Sequence, residues 1–267
     1  MAWATNTVLW DNSVNVPRAS LQAGVTDDAP VGTIKSGFTV MTAGTVSMRA
    51  TLDEAPPSPP PPPPPPGLPH YGHAIIGQSN ALNFGTGQGA VTFRNRFLEL
   101  VPNCTAQTIS CGVGSSNIEA WAVGGTIFNA AVANWNAAKA ANPNFAPGSL
   151  IHIHGENDST TAPQAVRFDE RCLAVHAGFR AAVNAPALPV VVVELFKNPN
   201  DGRPYWDVVQ KQQREMSWQF SGGVWTLRPG YAFASWADLA GGNLHPPESD
   251  HIILGNRIAE ALDPAFP

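Results

Sequence analysis

The chain has 267 residues, which is enough for one large domain or two unequal domains with buried cores. Hydrophobic residues make up 43% of it and charged residues only 13%, a composition that favours a folded protein. The formal net charge is −5 and no basic run occurs, which argues against a nucleic-acid partner. No apolar stretch is long enough to span a membrane.

A proline run at residues 56–69 divides the chain. Because proline fixes its backbone torsion and lacks an N–H, this run predicts a stiff polyproline linker about 40 Å long. Residues 1–55 alternate short apolar stretches with turn-forming residues, which predicts a small β-rich module. No cluster of polar residues in this module points to chemistry. We therefore expect it to serve attachment or assembly, by binding a particle or by oligomerising.

Residues 70–267 form the second predicted domain. Strands are predicted at 73–77, 106–113, 149–154, 188–195 and 224–228, and helices at 126–141, 162–185, 204–220 and 249–262. Apolar strands separated by helices predict a parallel sheet that helices cover on both faces. The expected fold class is α/β, a three-layer α/β/α sandwich. Ligands bind such sheets at the carboxyl ends of the strands.

The loops after the first two strands carry candidate groups for acyl transfer. The first strand ends in IIGQSNA, which places Ser79 at a strand-to-helix turn. Unpaired backbone N–H groups at a helix start favour developing negative charge, although a serine in this position is also a common helix cap. The second strand leads to Gly114, where the missing side chain lets a backbone N–H approach a ligand closely.

Two later loops complete the set. Asn157 follows the third strand and offers a neutral amide donor, and His245 precedes a Pro-Pro turn before the last helix. A hydroxyl, a base that titrates near neutrality and oxyanion donors are the groups that acyl transfer requires. His152 and His154 form a rival zinc pair on the third strand. Since no third ligand follows at a suitable spacing, we expect no metal.

These loops resemble those of the SGNH (GDSL-like) hydrolases, and among them the sialate O-acetylesterase-like and acetylxylan-esterase-like carbohydrate esterases. GQSN stands at residues 77–80, a block similar to GGTSIxxW at 114–121, GEND at 155–158, and His-Pro followed by Gly-x-Arg-x-Ala at 245–259. The resemblance covers roughly residues 72–264, with the four blocks in the same order as in the family.

The resemblance implies a flavodoxin-like sheet and a serine esterase that needs neither a metal nor a cofactor. In it Ser79 attacks an ester carbonyl while His245 takes the hydroxyl proton. The N–H groups of Ser79 and Gly114 and the side chain of Asn157 hold the oxyanion. The implied substrate is an acetylated glycan or polysaccharide, from which the enzyme removes O-acetyl groups.

The chain departs from the family pattern at two positions. The family usually carries an aspartate three residues before the catalytic histidine, and here that position is Gly242. Either the orienting carboxylate is absent, which leaves a Ser-His dyad, or it comes from elsewhere in the chain. Asp238 is nearby in sequence, and Glu248 and Asp250 are weaker candidates. The carbohydrate-esterase subgroup often has glutamine before the Gly-Glu of the third block, where this chain has His154.

Two further questions concern role and location. The missing aspartate is compatible with a non-catalytic carbohydrate-binding or structural protein that retains the fold. The N-terminus has no basic segment followed by an apolar one, so we expect no signal peptide. The β module and stiff linker suit a virion surface fibre, and the other interpretation is a cytoplasmic enzyme.

Side chains available for stacking on a glycan or for core packing are Trp121, Trp206, Trp218 and Trp236.

Overall fold

The computed structural model describes residues 67–195, 202–221, 224–236 and 244–266, together with six two-residue strands before residue 53. The chain divides into two compact units, residues 1–63 and 64–267, so the division falls within the proline run. The strands of the first unit are β1 (Thr7–Val8), β2 (Ser20–Leu21), β3 (Ile34–Lys35), β4 (Phe38–Thr39), β5 (Ser47–Met48) and β6 (Thr51–Leu52). They form the antiparallel pairs β1–β2, β3–β6 and β4–β5.

The second unit alternates strands and helices. Its strands are β7 (His70–Gly77), β8 (Thr105–Ser110), β9 (Phe145–Ile153), β10 (Val190–Glu194), β11 (Trp218–Ser221), β12 (Val224–Leu227) and β13 (Tyr231–Ser235). Its helices are α1 (Ser79–Thr86), α2 (Gln88–Leu100), α3 (Thr126–Ala141), α4 (Ala162–Ala165), α5 (Phe168–Ala182), α6 (Trp206–Ser217) and α7 (Glu248–Leu262). Short 3₁₀ helices cover Ile118–Trp121, Asp158–Thr160 and Asp263–Ala265.

Five strands form one parallel sheet in the order β13-β10-β9-β7-β8. The chain adds β8 on one side of β7 and then adds β9, β10 and β13 on the other side. The winding direction therefore reverses between β7 and β9. Open parallel sheets bind ligands at the carboxyl ends of the two strands that flank such a reversal.

Helices cover both faces of this sheet and create two hydrophobic cores. On β10, Val190 and Val192 enter the core beside α3, α5 and α6, whereas Val191 and Val193 enter the core beside α2 and α7. All four valines are buried, because strand residues alternate between faces and both faces are covered. The predicted three-layer α/β/α sandwich is confirmed.

The structure corrects three predicted elements. The helix predicted over 162–185 is broken between α4 and α5, where Arg167 leaves the helical backbone conformation (ψ 15°). The helix predicted over 204–220 ends at Ser217, because Trp218–Ser221 pairs antiparallel with β12. The strand predicted over 224–228 consequently belongs to a hairpin, and β13 supplies the fifth parallel strand. In the described part of the chain, no helix combines the length and apolarity needed to cross a membrane.

Candidate active site

The structure brings Ser79 and His245 together across 166 positions of sequence. Ser79 is the first residue of α1, directly after β7, and His245 lies just before α7. The distance from Ser79 Oγ to His245 Nε2 is 2.9 Å, within hydrogen-bonding range. His245 is exposed and Ser79 is half-buried, so the pair is open to a ligand at the carboxyl edge of the sheet.

A glycine makes the turn into α1 possible. Gly77 has φ +131°, and a Cβ built there would lie 1.8 Å from the carbonyl oxygen of Ile153. Only glycine fits both the torsion and the space. The next residue, Gln78, is buried, and its Oε1 accepts a hydrogen bond of 3.2 Å from the Asn157 N–H. The turn that presents Ser79 is therefore tied directly to the loop after β9.

The loop after β8 lies beside the same turn. Val113 donates its N–H to the Gly77 carbonyl at 2.9 Å, which brings Gly114 next to the end of β7. Gly114 is exposed, and a Cβ built on it would meet no atom within 4 Å. Among the described residues, none accepts a hydrogen bond from the Gly114 N–H. This N–H remains available to a ligand.

Two neighbouring side chains after β9 hold the loop after β8. Asn157 donates from Nδ2 to the Ser115 carbonyl at 2.6 Å, and one amide hydrogen of Asn157 is left for another acceptor. The Asp158 carboxylate accepts the Ile118 N–H at 3.0 and 3.2 Å. Burial raises the pKa of Asp158 to about 6, and the bond from Ile118 opposes that rise. The loops after β7, β8 and β9 thus form one bonded unit.

The orienting carboxylate expected behind His245 is not supplied by α7. Asp238 and Gly242 lie outside the described residues. Glu248 Oε1 instead accepts the Gln88 N–H at 2.5 Å and so stabilises the start of α2. Within residues 67–195, 202–221, 224–236 and 244–266, no carboxylate hydrogen-bonds to His245, Asp250 included.

Comparisons with known proteins identify the family. The family model of carbohydrate esterases described as sialic acid-specific acetylesterases matches residues 73–263, which is more than half of the chain. The chain belongs to this family. It is a carbohydrate esterase and a carboxylic ester hydrolase, as the four sequence blocks predicted. Among curated protein sequences, none matches this esterase.

Solved structures share the fold of the esterase. A protein of Arabidopsis thaliana aligns with a TM-score of 0.62 and 15% identity over 74% of this chain and 100% of that chain. NanS aligns with a TM-score of 0.58 and 12% identity over 73% and 97% of the two chains. A carbohydrate acetylesterase of Xanthomonas citri aligns with a TM-score of 0.54 and 16% identity, over 73% of this chain but only 56% of that one.

One polar connection in the esterase had no signal in the sequence. Asn80, next to Ser79, donates from Nδ2 to Glu156 Oε1 at 2.5 Å and to the Leu244 carbonyl at 3.1 Å. The segment that carries His245 is therefore anchored to α1 through its neighbour. Glu156 is buried, and desolvation raises the pKa of its carboxyl to about 7. The motif letters GQSN and GEND contained both residues, but nothing in their spacing indicated that they touch.

Most of the tryptophans considered for glycan stacking pack in the cores of the esterase. Trp121, Trp206 and Trp236 are buried, and only Trp218 is partly exposed. The indole N–H of Trp121 donates to Ser116 Oγ at 3.0 Å, so this buried ring stabilises the loop after β8. A buried ring cannot stack on a sugar, which leaves Trp218 as the one candidate among these four.

Proposed function

We propose that the chain is a serine carbohydrate O-acetylesterase with Ser79 as nucleophile and His245 as general base. The observation that supports this best is the 2.9 Å separation of Ser79 Oγ and His245 Nε2. At this distance the imidazole accepts the hydroxyl hydrogen and makes the oxygen nucleophilic. Because Nε2 must accept, the reactive tautomer of His245 carries its hydrogen on Nδ1.

The negative oxygen of the tetrahedral intermediate needs donors beside Ser79. Ser79 is the first residue of α1, so its own N–H has no partner within the helix. The exposed Gly114 N–H and the second amide hydrogen of Asn157 supply two further donors. Donors fixed in advance cost no reorganisation during the reaction, and losing one lowers the rate about 10²–10³-fold.

The proposed reaction passes through an acyl-enzyme. Ser79 Oγ bonds to the acetyl carbon, and His245 passes the hydroxyl proton to the leaving sugar oxygen as the ester bond breaks. Water then attacks the acetyl–Ser79 ester, and His245 takes the proton from that water. The acetyl carbon leaves as acetate, and the proton returns to Ser79 Oγ. The products are acetate and a sugar with a free hydroxyl.

We propose Asp238 as the group that orients His245, since Glu248 is bound to the start of α2. A carboxylate on Nδ1 would hold the reactive tautomer and stabilise the imidazolium that forms during the reaction. Replacing Asp238 by asparagine should therefore lower kcat and leave KM nearly unchanged. An equal kcat for wild type and variant would leave His245 and Ser79 as a dyad.

Labelling with a fluorophosphonate and release of acetate test the proposal together. Wild type should be labelled at Ser79 and should release acetate from acetylated xylan, mannan or sialic acid. Ser79→Ala should lose both signals. Ser249→Ala is the matched control, because within the described segments its exposed hydroxyl contacts Asp250 alone, at 3.4 Å. Glycan binding without labelling or acetate release would instead support the non-catalytic carbohydrate-binding protein.

We propose from the organisation of the chain that the esterase is attached to a particle. A β-rich unit joined by a proline run to an esterase suits attachment to a particle, such as a virion that removes acetyl groups from host glycans. The mass of the full chain in solution tests the assembly role. If the full chain is a monomer and does not bind virions, the proposed role of residues 1–55 in attachment or assembly loses its support.

A further inference from the structure

Three buried histidines form a continuous hydrogen-bonded chain that the proposed reaction does not use. His152 lies in β9, His154 directly after it, and His176 in α5, and all three are at most 3% exposed. The bonds join Tyr231 Oη to His176 Nδ1 (3.3 Å), His176 Nε2 to His152 Nδ1 (2.9 Å), His152 Nε2 to His154 Nδ1 (3.3 Å) and His154 Nε2 to the Ser116 carbonyl (3.1 Å). The hydrogen-bonded chain of histidines therefore ends at the loop after β8.

The charge state of the three rings follows from their burial. Desolvation lowers the pKa of His154 to about 4 and that of His176 to about 3, and the pKa of His152 also falls well below its usual value. The neighbouring His176 ring further lowers the pKa of His152, and the Arg180 guanidinium further lowers the pKa of His176. All three rings are therefore neutral at pH 7, so each carries one hydrogen and one lone pair.

One arrangement of hydrogens satisfies every bond in the chain. A carbonyl only accepts, so His154 must donate to Ser116 from Nε2, and its Nδ1 must accept from His152. The same step repeats: His152 donates from Nε2 and accepts at Nδ1 from His176. His176 in turn accepts at Nδ1 from the Tyr231 hydroxyl. Each histidine is thus in the Nε2–H form, and all the bonds point toward Ser116.

We propose that His154 is a positioning residue for the oxyanion donor at Gly114, and that His152 and His176 fix the tautomer it needs. This inference rests on the proposed function. The Ser116 carbonyl lies two residues after Gly114, and His154 holds it from inside the protein. If His152 did not donate to His154 Nδ1, that ring could adopt the other tautomer and lose its bond to Ser116.

Other contacts of the loop leave a distinct role for His154. Asn157 holds the Ser115 carbonyl and Asp158 holds the Ile118 N–H. The N–H and Oγ of Ser116 bond to the Val113 carbonyl and Oγ accepts from Trp121, whereas His154 holds the Ser116 carbonyl. Asp158 Oδ2 is 3.6 Å from His154 Nε2, too far for a hydrogen bond but close enough to favour a hydrogen on that nitrogen. Both the Asp158 carboxylate and the Ser116 carbonyl therefore favour a hydrogen on Nε2 of His154.

Nitrogen NMR of the full chain with ¹⁵N-labelled histidine tests the hydrogen arrangement. The shifts of the two ring nitrogens distinguish the Nε2–H form, the Nδ1–H form and the cation, and single substitutions assign the signals. We expect His152, His154 and His176 all to be in the Nε2–H form at pH 7. An Nδ1–H form or a cation at any of the three would overturn the proposal. This measurement does not require esterase activity.

Kinetics of two variants test the positioning role. His154→Gln retains an amide donor that can reach the Ser116 carbonyl, whereas His154→Phe retains a buried ring without a donor. We expect His154→Phe to lower kcat about tenfold per fluorophosphonate-labelled site with KM within about twofold, and His154→Gln to keep kcat within about threefold of wild type. Equal kcat for wild type and His154→Phe would overturn the role.

The two experiments separate the possible failures. Wild type that neither reacts with the fluorophosphonate nor releases acetate would refute the proposed function, and the NMR result would then decide on the hydrogen-bonded chain. Wild type that is active with a different tautomer pattern would refute the inference alone. If His154→Phe does not fold, the tautomers of the wild-type protein still decide the arrangement.

Discussion

Replacing His73 by asparagine should make the stability of the protein less sensitive to acid. His73 is fully buried in β7, where its Nδ1 lies 2.9 Å from Ser149 Oγ and its ring contacts Phe93 and Phe97. Desolvation, with a smaller contribution from His70, lowers the pKa of His73 to about 3. Asparagine places an amide near the position of Nδ1 and does not titrate, so it removes the proton site and keeps a partner for Ser149.

The sign and size of the effect follow from proton binding. An unfolded histidine titrates near pH 6.5, so below that pH the unfolded chain binds a proton that the folded chain excludes. The stabilisation by neutral His73 is present above pH 6.5 and is lost as the pH falls toward 3. Between pH 7 and pH 4.5 this single site should lower the free energy of unfolding by about 2.5 kcal/mol.

Urea unfolding of wild type and His73→Asn at pH 7, 6, 5 and 4.5 measures this difference. The other buried titratable groups are present in both proteins, so their contributions cancel in the comparison. Ser149→Ala is the control, because it removes the hydrogen-bond partner but leaves His73 to titrate, and it should keep the wild-type dependence on pH. Parallel curves for wild type and His73→Asn would refute the reasoning.

Three further predictions concern single residues. Gly77→Ala should destabilise the fold by roughly 3 kcal/mol or more, since its Cβ overlaps the Ile153 carbonyl at φ +131°, and an unchanged melting temperature would contradict this. Glu248→Ala should cost about 1 kcal/mol in urea unfolding by freeing the Gln88 N–H, whereas Glu248→Gln should cost less because it keeps an acceptor. Burial raises the pKa of Cys172 well above its usual value, so iodoacetamide should label this thiol in urea and not in the folded chain, as mass spectrometry can check.

The parts of the fold that could be predicted are those with a local physical cause. The bounds of α3 were predicted to the residue, because alanine-rich sequence with helical periodicity determines a helix without tertiary help. The four consecutive valines of β10 predicted a strand buried on both faces. Glycine-containing turns placed Ser79, Gly114 and Asn157 at strand ends, and the sheet order then brings their loops to one edge.

The parts that could not be predicted depend on contacts between distant segments. The stretch that forms β13, YAFAS, alternates alanine with other residues and favours neither strand nor helix, so its pairing with β10 decides its state. His176 lies within the helix predicted over 162–185, and only the packing of α5 on β9 brings it to His152. The bond between Asn80 and Glu156 joins positions 76 apart and likewise leaves no local signal.

The wide sequence separation of residues 79 and 245 has a consequence for synthesis on the ribosome. His245 can meet Ser79 only after residue 245 has been synthesised and its segment lies on α1, and the helix α7 that follows packs on α2, where Gly255 approaches the Gly89 backbone closely and Glu260 bonds to Arg96. A nascent chain that has folded its first four parallel strands would still lack this hydroxyl–imidazole pair. Under the proposed mechanism, ester hydrolysis would therefore begin only after the segment that carries His245 has folded against α1.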